Sequence, residues 1–223
     1  MKMIRKSWIF LVLVLFVTPL VCGQSLSSYR KFSLGTTLTA LSKQIGQDPQ
    51  QADLIHQSPA IIQQLTYWPI GTSYPVRPES VSQILFSFCD ATLYKISVTY
   101  DGEATRGLTE DDMVQVISAR YGTATRFYPE IALPANDEYV PSQEAMAGWG
   151  DSETSVILSH NTDLDSFGLT ISSKSLTAKA DAAITESLQM EKQEAPQKEI
   201  DRQKSEAAKL EVARQKNIKA FRF

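Results

Sequence analysis

The chain has 223 residues, of which 43% are hydrophobic and 21% charged, and a formal net charge of −3. That length suits one or two ordinary domains. The charge is uneven: residues 24–190 carry 10 Lys+Arg against 19 Asp+Glu, net −9, and residues 191–223 carry 9 against 6, net +3. An acidic body argues against nucleic acid as a partner, because phosphate binding needs a basic patch.

Lys2, Arg5 and Lys6 precede an apolar run from Trp8 to Val17, and Thr18-Pro19-Leu20-Val21-Cys22-Gly23 follows. A basic start, a short apolar core and small residues before a polar chain predict a secretory signal peptide over 1–23. Val21 and Gly23 suit the −3 and −1 positions of a signal peptidase, so the mature chain is expected to start at Gln24. The apolar run is shorter than the roughly 20 residues of a membrane span. A lipid anchor at Cys22 is the weaker reading, since lipoprotein processing wants a small residue before its cysteine and Val21 stands there. Cleavage leaves Cys89 as the one thiol, so no internal disulfide is expected and the fold must rest on its hydrophobic core.

Leu38, Leu41 and Ile45 sit at i, i+3, i+7, one face of a helix that Gly46 stops. The stretch 61–68 reads as a strand, with a helix as rival; the β-favouring end Leu65-Thr66-Tyr67-Trp68 supports the strand. Pro69, Gly71, Pro75 and Pro78 mark a loop containing Tyr74. The clearest strand signal is 84–100. Ile84, Phe86 and Phe88, then Tyr94, Ile96, Val98 and Tyr100, fall on alternate positions and predict a hairpin with one apolar face. Phe86 and Ile96 are expected to face each other. The other face is mixed: Leu85, Ser87, Cys89, Leu93, Lys95, Ser97 and Thr99.

Thr109-Glu110-Asp111-Asp112 opens the next helix, with a hydroxyl for an orphan N–H and three acids at the positive helix end. Val114, Ile117 and Tyr121 make its apolar face, and Gly122 ends it. Ala147-Gly148-Trp149-Gly150 precedes a second hairpin, with Val156 and Leu158 on one arm and Phe167, Leu169 and Ile171 on the other. The order therefore repeats: Gly-stopped helix, Trp, hairpin. Gly46 to Gly122, Trp68 to Trp149 and Tyr94 to Phe167 are 76, 81 and 73 residues apart. With few matching residues, a tandem pseudo-repeat and coincidence both fit.

From Thr177 the period becomes helical, and Ala180, Ala183, Ile184, Ser187 and Leu188 suit a helix lying on the body. Ala195-Pro196 is expected to break it, leaving a charged helical appendage. The expected class is α+β: a unit of helix packed on antiparallel sheet over 24–106, a second over 107–176, and a helical charged tail over 177–223.

The helix with Ile45-Gly46 and Pro49, then His56, Tyr67-Trp68 and a Phe-rich hairpin ending Tyr94-x-Ile96, resembles the SmpA/OmlA envelope-assembly lipoproteins and the β-lactamase-inhibitor-protein-like fold. The resemblance implies short helices on one face of an antiparallel sheet whose exposed face binds other proteins.

Candidate sites are few. His56 and His160 lack the short ligand spacings of a zinc site. Asn161-x-Asp163-x-Asp165 begins like a calcium loop, but Ser166 and Ser172 stand where Gly and Glu belong, so a turn is the better reading. No nucleophile, phosphate-loop or dinucleotide motif is present, so the pattern points to no catalytic residue, no metal and no cofactor. Cys89 reads as a small buried hydrophobe, and Trp68 as core filling. The binding candidates are Tyr74, Trp149 and the mixed face at Leu85, Leu93 and Lys95. The leading expectation is a non-catalytic exported protein, periplasmic or secreted, that binds another envelope protein. The alternatives are a hydrolase built from scattered carboxylates and a structural envelope component that self-associates through its tail.

Overall fold

The computed structural model describes residues 25–69, 80–127, 143–161 and 164–222. The sequence features at Val21, Cys22, Gly23 and Gln24, and the loop with Tyr74, lie outside the described residues.

A two-stranded ribbon, β1 (Ser28–Tyr29) and β2 (Phe32–Ser33), leads into α1 (Leu38–Ile45). Thr37 caps α1 through its side chain, and Gly46 closes it at φ 73°, a left-handed position that glycine fills without strain. Four strands follow: β3 (Asp53–His56), β4 (Ile62–Tyr67), β5 (Val81–Cys89) and β6 (Thr92–Tyr100). A single-turn helix, α2 (Gly102–Thr105), connects to α3 (Glu110–Tyr121). Thr109 and Asp112 form a reciprocal capping box at the start of α3. Four more strands follow: β7 (Thr125–Arg126), β8 (Gln143–Gly150), β9 (Thr154–Asn161) and β10 (Ser166–Ser173). The 47-residue α4 (Lys174–Ala220) completes the chain.

All eight strands from β3 onward form one antiparallel sheet in the order β3-β4-β5-β6-β10-β9-β8-β7. Each half is thus a helix followed by a four-strand meander, and the halves join where β6 pairs with β10. The spacing of 73 that carries Tyr94 to Phe167 also carries Ser97 to Thr170, and those two residues are paired across the join. Ile96 pairs with Ile171 and Val98 with Leu169, so the two central strands meet about an approximate two-fold axis. The two expected units therefore do not close separate cores. The open edges of β6 and β10 carry unpaired backbone groups, and each satisfies the other.

One apolar core lies between the front face of this sheet and the elements covering it. Phe86 pairs with Ile96 as expected, both fully buried. Phe86 meets the ring of Phe32 edge-on at 4.9 Å. Leu41 from α1 and Met113, Val114 and Ile117 from α3 fill the same core. The Tyr121 hydroxyl donates to the Ser28 carbonyl at 2.9 Å, tying α3 to the ribbon.

Three expectations are corrected here. Strict alternation along β6 placed Tyr94 inside and Leu93 on the mixed face. The register slips between the pairs Ser87–Lys95 and Phe88–Leu93, leaving Tyr94 as an extra residue. This bulge flips the phase: Leu93 enters the main core, fully buried, and Tyr94 turns to the back of the sheet. Second, α4 runs through Pro196 without a break. Proline removes one N–H and crowds the carbonyl four residues earlier, but the many helix-forming residues on either side carry the helix past it. Third, Trp68 and Trp149 exchange their expected roles, with Trp68 59% exposed and Trp149 only 5%.

Candidate functional site

Among the described residues, the back face of the sheet is covered by a helix at one end only. There α4 crosses the strands with Ala180, Ala183 and Ser187 buried and Leu176 and Ile184 partly so. These small residues let the helix lie close over Ile62, Cys89 and Tyr94. Lys179 Nζ reaches Asp90 Oδ2 at 2.6 Å, and His56 Nδ1 lies 3.1 Å from Ser187 Oγ. Asp90 also accepts from the Ile61 N–H at 3.1 Å, and these bonds hold its carboxyl below the usual carboxylate range. Burial beneath α4 pushes the Cys89 thiol up, which suits the buried, unreactive cysteine read from the sequence.

Beyond α4 the back face is a surface of short side chains. Backbone pairing aligns Thr66, Leu85, Ser97, Thr170, Ile157 and Gly148 in one transverse row across β4, β5, β6, β10, β9 and β8. Thr66, Leu85, Ser97, Thr170 and Ile157 in this row are half-buried, the exposure of a sheet surface with no helix over it. The neighbouring row, nearer α4, runs through Ser87, Lys95, Ser172 and Ser155. The Lys95 ammonium sits 5.9 Å from the Tyr94 ring centre. At the far end the Phe127 ring lies over Gly148, where a Cβ would come within 2.6 Å of it. The open face is thus bounded by α4 at one side and an aromatic ring at the other.

Of the sequence candidates, Leu85 and Lys95 lie on this face. Leu93 points away from it, into the core. Trp149 is removed from any surface role: its indole N–H donates to the Gly122 carbonyl at 2.9 Å, closing the end of α3 against β8. Thr170 and Ile157 were missed, because their place opposite Ser97 and Leu85 depends on the β6–β10 join. The apolar alternation of β10 is their local trace: it marks Phe167, Leu169 and Ile171 as inward and leaves Thr170 facing out.

A hollow of about 680 Å³ opens elsewhere, between α2, the start of α3 and the β9–β10 turn, and it bears on the hydrolase alternative. His160 Nε2 lies 3.2 Å from Asp165 Oδ1, and the His160 ring packs against Phe167 at 4.9 Å. The Asp165 side chain is 96% exposed, so solvent screens this pair. Asn161 Oδ1 accepts from the Leu164 N–H at 3.0 Å, and Asp163 of the calcium-loop candidate lies outside the described residues. Elsewhere Asp112 and Asp151 are held low by hydrogen bonds, first of all those from Thr109 and from the Glu153 N–H. A general acid requires the opposite shift. Among the described residues, no group of three or more His, Cys, Asp or Glu is placed to hold a metal ion. No helix among them is long and apolar enough to cross a membrane.

The chain matches no family model, no curated protein and no solved structure.

Proposed function

We propose that this chain is an exported, non-catalytic binding protein whose open sheet face holds another protein of the cell envelope. The observation carrying this reading is the transverse row from Thr66 to Gly148. Five strands present half-buried side chains on one face, three of them Ser or Thr, while the other face is closed by α1, α3 and the ribbon. Such a surface costs little side-chain entropy to dock against, because serine and threonine have few rotamers to lose. Leu85 and Ile157 supply apolar contacts near its middle. The repeated order of helix and four-strand meander supports a duplicated unit, with the joined sheet as the surface that duplication creates. The basic, apolar N-terminal segment supports export.

The test is photo-crosslinking in cells that make the protein, with the reactive residue placed at Ser97 or Thr170 and, as control, at Val116, which is 67% exposed on α3. A discrete adduct at 97 and 170, missing at 116 and abolished by Leu85→Arg, is expected. Equal labelling at all three positions would refute the reading. Mass measurement of the purified chain tests export separately: a start at Gln24 is expected, and retention of Met1 refutes it.

A further inference from the structure

Beyond Met190, α4 leaves the body, and every described residue from Glu191 to Arg222 is exposed. At 1.5 Å per residue, 191–220 form an arm about 45 Å long. The arm has two chemically different parts. Residues 191–206 carry four cations, Lys192, Lys198, Arg202 and Lys204, against five carboxylates. Ion pairs at helical spacing run along it: Glu194–Lys198 at 2.9 Å, Glu199–Arg202 at 2.7 Å and Arg202–Glu206 at 2.7 Å. Such pairs support a helix with no packing partner, so this part is a stalk.

Residues 207–222 carry five cations against the single carboxylate of Glu211. This tip also presents Leu210, Val212, Ile218 and Phe221 to solvent, 58–76% exposed. Leu210, Ala213, Ile218 and Phe221 recur at i, i+3, i+8 and i+11 along one side of a helix, a side that Arg214 and Asn217 share, and Lys209, Lys216 and Lys219 fall on the other with Val212. Favourable interaction with the helix dipole accounts for cations in the last turn only. Arg214 pairs with Glu211 at 3.3 Å, but neither effect accounts for Lys209 or for four large apolar side chains in water.

We propose that the tip, 207–222, docks on an anionic lipid surface, lying in the headgroup boundary with Leu210, Ile218 and Phe221 turned inward. A basic helix with one apolar side has that chemistry, since the partner must offer negative charge and an apolar layer together. The stalk removes the obvious objection, that an acidic body would be repelled. Sixteen residues of helix hold the tip about 24 Å from the body. That is about three times the ~8 Å distance over which physiological salt screens charge. A second copy meets the tip with an equally positive tip and a nearly neutral stalk, which leaves only its acidic body, net −9 over 24–190, as a rival surface.

The test is co-sedimentation of the chain starting at Gln24 with vesicles of phosphatidylglycerol and phosphatidylcholine, or of phosphatidylcholine alone. Binding to the anionic vesicles only, weakening as salt is raised, is expected. The charge-reversed variant K209E/R214E/K216E/K219E should lose more than tenfold in partition. L210S/I218S/F221S, which keeps every charge, should also lose severalfold. Near-UV dichroism reports that the body stays folded in both. No binding to anionic vesicles, or equal binding by the charge-reversed variant, overturns the proposal. Binding unaffected by L210S/I218S/F221S overturns the inserted geometry. Self-association of the chain in sedimentation velocity that depends on the tip, with vesicles left unbound, overturns it in favour of a second copy.

Discussion

The docking of α4 on the back face can be read through the one thiol beneath it. Cys89 is 2% exposed and is covered by the turn of α4 that carries Ala180 and Ala183. Lifting the helix would uncover two alanine methyls, at about 0.8 kcal/mol each, and about half the burial of Ile62, Cys89 and Tyr94, at about 1 kcal/mol each. The sum is on the order of 4–5 kcal/mol, an upper figure because unfolded chains retain some burial. At 1.4 kcal/mol per tenfold, that protects the thiol by about a thousandfold relative to an open site. Ala180→Asp places a carboxylate against Ile62, Cys89 and Tyr94, and burying an unpaired charge costs more than the whole docking energy. The helix should therefore lift while the front core stays intact. In protein starting at Gln24, Ellman's reagent should label Cys89 in Ala180→Asp about a thousand times faster than in the parent, with near-UV dichroism retained. Ala182→Asp, on the exposed side of the same turn, should label at the parent rate. Labelling of Ala180→Asp as slow as the parent would refute this packing, and loss of the body's fold would show α4 to be inseparable from it.

Three further outcomes concern stability. Phe86→Ala should lower unfolding free energy by about 3–5 kcal/mol in urea melts, because the ring is fully buried and pairs with Phe32. Its neighbour Ser87 is also fully buried but has no hydrogen-bond partner for its hydroxyl, so Ser87→Ala should be neutral or mildly stabilising. Acid should destabilise the fold through Asp90, Asp112 and Asp151, whose carboxyls are all held below the unfolded value. Their contribution is fully present above about pH 4, the ordinary aspartate range, and is lost as pH falls through their lower folded values. The melting temperature should fall below that pH, and Asp151→Asn should flatten part of the fall.

What could be read from the sequence was local. Gly46 and Gly122 stop their helices where expected, and Thr109 with Asp112 caps α3, because each signal acts within a few residues of itself. The alternation of β5 and β10 also survives intact. It fails at Tyr94 because a bulge leaves no mark in composition, and the inserted residue simply reads as the next inward position. Ser87, read as part of the mixed face, is fully buried, and no strand pattern shows that. The exchange of Trp68 and Trp149 has the same origin, since Trp149 is buried by a carbonyl at the end of a helix 27 residues earlier. The row across the back face needed the join of β6 to β10, a contact between halves that share almost no residues.

That join also sets an order of events during synthesis. The β3–β6 meander consists of neighbouring strands and can form as soon as residue 100 is available. Its last strand, β6, then waits with a bare edge until β10 arrives some seventy residues later. Until then the edge of β6 offers its unpaired backbone groups to any other strand. A first half without its second half therefore carries an open strand edge at β6. Completion of the chain acts as a self-capping step that converts an aggregation-prone intermediate into a sheet whose middle is closed.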